Sequence, residues 1–208
     1  MIGLRIWGRL TSINVKKVVW AAQELGLDFQ RIEAGGVHGI VKTPEYLRLN
    51  ANALVPVIED DGLVLWESNV IVRYLCAKYS SSNFYPETLA ERFDAERWMD
   101  WQQTTVNQAS RPGFWQLIRT PIEQRDAKAI ADSNAAVELL MTTLDAHLAG
   151  RRFMLGERFS MADIPLGCEV HRWFGLPQSR EKRANLERWF AELRARPASK
   201  VVLDMTLS

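Results

Sequence analysis

Two residue types that carry redox and metal chemistry are scarce in this chain of 208 residues: cysteine occurs twice, as Cys76 and Cys168, and histidine three times, as His38, His147 and His171. The cysteines are far apart and each lies in an apolar helical pattern, which predicts buried free thiols. With no C-x-x-C, a self-contained dithiol oxidoreductase lacks its reactive pair. The histidines have neither metal-ligand spacing nor a cysteine cluster beside them, so no metal is expected. An excess of one charge is lacking too: 26 basic residues against 25 acidic ones leave no electrostatic footprint for nucleic acid or an anionic membrane. No apolar run approaches a bilayer span. The start, MIGLRIWGRL, has arginines on both sides of a short apolar stretch and no small-residue cleavage site, so it does not read as a signal peptide. A cytoplasmic protein is expected. Repeats, low-complexity segments and the G-x-S-x-G elbow of a hydrolase are all absent.

What is present fits two domains. Leu4, Ile6 and Trp7 predict a brief strand, and Gly8 to Ser12 a loop. From Asn14, the apolar positions Val15, Val18, Val19, Ala22 and Leu25 follow helical spacing up to Gly26, with Thr11, Ser12 and Asn14 as possible caps. Phe29 to Ile32 is a second strand, which completes a parallel βαβ unit. After a glycine-rich loop, Thr43-Pro44-Glu45 opens a short helix ending near Leu49. Val57 to Glu59 and Leu63 to Trp66, joined by Asp60-Asp61-Gly62, read as an antiparallel hairpin. A helix then places Val70, Ile71, Tyr74 and Leu75 on one face. The order βαβ then ββα is the thioredoxin-like arrangement, expected over residues 1–79.

Ser80 to Pro86 (SSSNFYP) is a polar break read as a linker, and residues 87–208 read as an all-α domain. Its first helix runs from Glu87 to about Leu117, with Phe93, Trp98, Trp101, Val106 and Ala109 on the apolar side and a kink expected at Arg111-Pro112-Gly113. A second starts at Pro121 and is closed by Gly150, with Ile130, Val137, Leu140, Met141, Leu144 and Leu148 inward. Ser160-Met161-Ala162-Asp163 is a capping box for a third, and Asn185 to Arg196 forms the last. Trp7, Trp20, Trp66, Trp98, Trp101, Trp173 and Trp189 are expected in the core.

The chemistry gathers in the first domain. A proline before a strand removes a ladder donor, so Val55-Pro56 can turn the backbone N–H and C=O of Val55 outward, to be paired like a strand edge. Ser68 stands where a strand ends and a helix begins; its hydroxyl and the first free N–H groups suit a carboxylate, while Glu67 can hold an ammonium. Those three features describe the γ-glutamyl end of a peptide such as glutathione. The alternative is a helix cap beside a solvated charge. Here V-P followed about a dozen residues later by E-S at a helix start resembles the glutathione transferase superfamily, over nearly the whole chain.

That resemblance implies the cytosolic two-domain fold, a homodimer, and a thiol-activating group in the loop GRLTSINV. Aligning S-I-N-V-K-K with the theta-like S-x-x-x-R pattern and with the cysteine position of the beta class puts Ser12 at the catalytic place, and the chain looks closest to bacterial members with an S-x-N-V-K-K loop. A thiol of pKa near 8.5 must drop by about two, or roughly 2.7 kcal/mol, to be mostly thiolate at neutral pH. One charge-assisted hydrogen bond of about 1.5 to 3 kcal/mol and a helix N-terminus of about 0.3 to 1 suffice without metal or added base. Asn14 is a candidate second donor, and Thr11 or Ser12 can instead cap the helix. Arg9 and Arg111, with Phe114 and Trp115 as apolar wall, are the expected electrophile-binding residues and favour a small haloacid-like electrophile. Asn50-Ala51-Asn52-Ala53-Leu54 departs from the family's asparagine-proline-asparagine-glycine, which leaves the clamp on the glycine carboxylate open, with His38 and Lys42 in reach. The expected activity is conjugation of glutathione to a small electrophile. A glutathione-dependent thiol or peroxide reductase and a non-catalytic binding or regulatory member are the alternatives.

Overall fold

The computed structural model describes residues 3–80 and 84–208. Two compact units divide between Tyr85 and Pro86; residues 81–83 of the expected linker lie outside the described residues. In the first unit, β1 (Leu4–Trp7) leads through α1 (Ile13–Glu24) to β2 (Phe29–Ile32), then α2 (Pro44–Leu49), β3 (Val57–Asp60), β4 (Leu63–Trp66) and α3 (Ser68–Tyr79). The sheet order is β2-β1-β3-β4. β1 runs parallel to β2, with Leu4 opposite Phe29, and antiparallel to β3, with Ile6 opposite Ile58; β3 and β4 form the hairpin. Its turn residues Asp61 and Gly62 both have positive φ, 50° and 86°, the backbone a two-residue hairpin of matching twist requires. This is the thioredoxin-like arrangement.

The buried face of α3 is Ile71, Val72, Leu75 and Cys76, one residue round from the expected one, and Val70 is 43 % exposed. Tyr74 is drawn off the apolar face because its hydroxyl donates to Asp60 at 2.8 Å, where Tyr79 and Lys78 also donate, tying α3 to the end of β3. Cys76 and Cys168 are both buried and free, and burial pushes the Cys76 thiol up to about 12, far from reactive. Trp66, on edge strand β4, is 43 % exposed and not core; the fully buried tryptophans are Trp20, Trp173 and Trp189.

The second unit is helical: α4 (Leu89–Trp101), α5 (Asn107–Phe114), α6 (Ala127–His147), α7 (Asp163–Gly175), α8 (Ala184–Ala195) and α9 (Lys200–Leu203). π-helical turns at Gln102–Val106 and Trp115–Arg119 join α4 to α5 and extend α5, so the expected single long helix is interrupted twice. Its buried face is Ala95, Met99, Gln102, Val106, Ser110 and Gly113, and Phe93 points outward. Pro121 opens only a 3-10 turn; α6 starts six residues later, where the Asp126 carboxylate accepts from the N–H groups of Lys128 and Ala129. At the proline in α5, the Ser133 hydroxyl accepts from Gly113 N–H at 3.1 Å and donates to Ala109 C=O at 2.6 Å, filling a gap in the helix ladder. At the head of α7 the carboxylate of Asp163 accepts from the N–H groups of Met154 and Ser160, each at 2.9 Å, and from Trp189 Nε1 at 2.8 Å. Burial outweighs these donors and pushes that carboxyl up to about 6.

Candidate active site

Three segments of the first unit carry the chemistry expected of it. The first is the loop after β1. Gly8 has φ 147°, and a Cβ there would sit 2.4 Å from Val15 Cγ2 and 3.2 Å from Val55 Cβ, so glycine alone lets α1 and the Val55 segment approach the loop this closely. The N–H of Arg9 donates to Ala34 C=O at 3.0 Å, and its own C=O accepts from Ser12 N–H at 3.1 Å, which pins the loop on both sides. Ser12 then holds the N-cap position of α1 with extended backbone and accepts from Lys16 N–H through its C=O. Its hydroxyl makes no capping bond. The helix start therefore does not consume that hydroxyl, which stands beside the free N–H groups of α1's first turn.

The second segment ends at Val55. The Val55-Pro56 bond is cis, the β1–β3 ladder stops at Val57, and the N–H and C=O of Val55 pair with no described residue. A backbone donor and acceptor are left for a ligand that lies alongside as a strand would. The third is the β4–α3 junction. Glu67, not a glycine, has φ 72°, a costly backbone state that the surrounding fold must hold. It precedes Ser68, whose hydroxyl donates to Asn14 Oδ1 at 3.3 Å across 54 positions of sequence. That bond turns the Asn14 carbonyl toward Ser68 and joins the starts of α1 and α3, so the first and third segments form one surface.

The chain is similar along its length to proteins of known family. Residues 11–78 match the family model for the N-terminal domain of glutathione S-transferase, and residues 104–197 that for its C-terminal domain. The chain belongs to the glutathione S-transferase family. It is 39 % identical over 207 residues to glutathione S-transferase GstB of Escherichia coli K12, covering 99 % of this chain and all of that one. A theta class glutathione S-transferase from Xanthomonas axonopodis pv. citri, solved with glutathione bound, superposes with a TM-score of 0.96 at 43 % identity over the full length of both chains. A glutathione transferase from Burkholderia graminis, solved with two glutathione molecules bound per subunit, superposes with a TM-score of 0.84 at 26 % identity, over 98 % of this chain and 88 % of that one.

In this transferase the residues that present Val55 were not singled out by sequence. Tyr46 of α2 donates its hydroxyl to Leu54 C=O at 2.7 Å, and Asn50 Nδ2 donates to the same oxygen at 3.0 Å. The Asn50 carbonyl in turn accepts from the N–H and Nδ2 of Asn52, and Ala53 takes φ 55°. Buried Asn50 thus folds residues 50–54 into a closed turn. Burial pushes the Tyr46 phenol up to about 12, so it remains a donor at any physiological pH. His38 is engaged with Glu33 at 3.5 Å, and Lys42 is exposed.

The expected electrophile residues divide between the units. Arg9 belongs to the first, where its side chain crosses Gly35 and Gly36. Arg111, Phe114 and Trp115 belong to the second. Arg111 and Trp115 are exposed, and the Phe114 ring lies under two guanidinium groups, Arg172 at 4.8 Å and Arg119 at 5.6 Å. Among the described residues no group of three or more His, Cys, Asp or Glu side chains converges as a metal site would, and no helix is long and apolar enough to cross a membrane.

Proposed function

We propose that this glutathione S-transferase ionises the glutathione thiol with the Ser12 hydroxyl and the N-terminus of α1, and adds the thiolate to a small electrophile. The observation that carries this reading is the uncommitted hydroxyl: Ser12 occupies a cap position without capping. Val55 pairs the cysteinyl backbone of the tripeptide, Ser68 and the first N–H groups of α3 receive the γ-glutamyl carboxylate, and Glu67 takes its ammonium. Pro56 sets the end of the strand that follows Val55. Asn14, whose Oδ1 yields the Ser68 hydroxyl to the incoming carboxylate, directs its Nδ2 donors to the bound peptide. The enzyme supplies position and one strong hydrogen bond, and the electrophile supplies the leaving group.

The electrophile is a small haloacid, met by Arg111 with Phe114 and Trp115, because a planar guanidinium pairs a carboxylate through two parallel bonds. The enzyme acts as a homodimer in the cytoplasm. Exposed apolar side chains on β4 and α3, namely Leu63, Val64, Trp66 and Val70, support a second copy there. The test is halide release from a haloacid and from its amide, run beside a disulfide-reduction assay, with wild type and Arg111→Ala. Glutathione-dependent halide release that favours the acid, and loses that preference in the variant, is expected. Disulfide reduction without halide release establishes the reductase instead. Failure to be retained on immobilised glutathione establishes a non-catalytic member.

A further inference from the structure

We infer that Arg9 receives the glycine carboxylate of glutathione. This rests on the reading of Val55 and Ser68 as the seat of the peptide, and it reassigns a residue that sequence placed beside the electrophile. A Cβ on Gly36 would lie 2.8 Å from Arg9 Nε, 3.0 Å from Cδ and 3.2 Å from Cζ, so the guanidinium is pressed flat across a glycine that leaves room for it. A Cβ on Gly35 would lie 3.5 Å from Arg9 Nη1 and 3.4 Å from both Val55 methyl groups. Nη1 and the Val55 side chain therefore flank Gly35, no more than about 7 Å apart. One extended residue spans at most about 3.6 Å, so a peptide whose cysteinyl unit pairs with Val55 brings its next and last residue within reach of that group.

The charge of Arg9 is also unspent. Its guanidinium forms no ion pair or hydrogen bond with a described residue, although it is half-buried. Glu33, which follows β2 and precedes Gly35 and Gly36, is occupied elsewhere: Arg31 Nη1 lies 2.5 Å from one oxygen and His38 Nε2 3.5 Å from the other. His38 is thereby turned to Glu33, and Lys42 is exposed. A guanidinium with its five donors free, fixed by a backbone pinned at both ends and placed at the far end of a bound tripeptide, matches a carboxylate.

The experiment is a binding cycle by calorimetry, with wild type and Arg9→Gln each titrated with glutathione and with its glycine monoethyl ester. For glutathione, Kd is expected to rise about tenfold or more in the variant. The ester should bind wild type about as weakly, and the variant should lose nothing further with the ester. Arg9→Lys should recover part of the affinity, since it restores charge without the planar fork. Equal losses for glutathione and ester in Arg9→Gln overturn the assignment. So does an unchanged glutathione Kd accompanied by lost discrimination between haloacid and amide, which returns Arg9 to the electrophile. Should the variant fail to fold, the wild type alone decides, because an ester that binds as tightly as glutathione overturns it. A wild type that binds neither ligand overturns the reading of the Val55 and Ser68 site as well, and so is distinguished from failure of the Arg9 assignment alone.

Discussion

Replacing Ser12 by alanine separates two roles that an N-terminal hydroxyl can play. Were the hydroxyl a cap, its loss would cost about 1 kcal/mol of folding stability. It makes no capping bond here, so stability is expected to change by less than about 0.5 kcal/mol. Were it the thiolate donor, removing a hydrogen bond to a charged group would cost about 1.5 to 3 kcal/mol of thiolate stabilisation, which raises the bound thiol's pKa by about one to two. Turnover near neutral pH should fall by at least about tenfold. The pKa is read from ultraviolet thiolate absorbance of the glutathione complex across pH, turnover from the conjugation assay, and stability from thermal unfolding. At high pH, where the thiol ionises unaided, the variant should recover most of its rate. Turnover within twofold of wild type, with the thiol pKa unmoved, refutes the assignment and transfers the donor to Asn14 or to exposed Thr11. A large loss of stability would instead restore the cap.

Ser68→Ala should raise KM for glutathione much more than it lowers kcat, because the γ-glutamyl carboxylate is held alike in ground and transition states; a collapse of kcat alone would place Ser68 in the chemistry. Ser133→Ala strips the partner from both Gly113 N–H and Ala109 C=O, a cost of about 2 kcal/mol or more and a fall of roughly 5 °C or more in Tm; an unchanged Tm would mean the helix closes its own ladder there. Asp163 has its folded pKa raised to about 6, above the ordinary 3.8, so the fold binds its proton more tightly than the unfolded chain does. The stability of wild type relative to Asp163→Asn should therefore increase as pH falls from about 7 to about 4, by at most on the order of 3 kcal/mol, and a difference in chemical-denaturation free energy that stays flat over that range contradicts it.

The first unit was legible because its grammar is local. Asp61-Gly62 must take positive φ in a two-residue turn, Thr43-Pro44 starts a helix, and short apolar runs bounded by turn residues mark the strands. The second unit was legible only as helix. From α4 into α5 the buried face of Ala95, Met99, Gln102, Val106, Ser110 and Gly113 keeps a near-helical spacing through the π turn, but half of it is polar or glycine, so an apolar pattern does not mark it. Phe93 and Trp66, both expected on apolar faces, are instead exposed at 62 % and 43 %. Burial of Gln102, Ser110 and Glu169 was invisible for the opposite reason, since polar residues do not advertise a core position. Their shared network shows why they are there: Gln102 Nε2 donates to Glu169 at 2.7 Å and Arg172 pairs with the same carboxylate at 3.1 Å, so each buried charge or amide has its partner.

At the site, sequence could name candidate ligand-binding residues but not those that hold them in place. Ser12, Val55 and Ser68 announce themselves by position, after a strand, before a proline, at a helix start. Tyr46 and Asn50 carry no such signal: a tyrosine on a short helix reads as core, and an asparagine after it reads as a cap. Their effect depends on a single oxygen, Leu54 C=O, which both of them hold. That carbonyl belongs to the peptide unit whose N–H is Val55's own. Holding one end of a planar unit fixes the direction of the other. The Val55 N–H is thus oriented by two side chains, through a covalent geometry that residue spacing does not encode. The Asn14 and Ser68 pair works on the same principle, since a bond across 54 positions sets which way an amide faces.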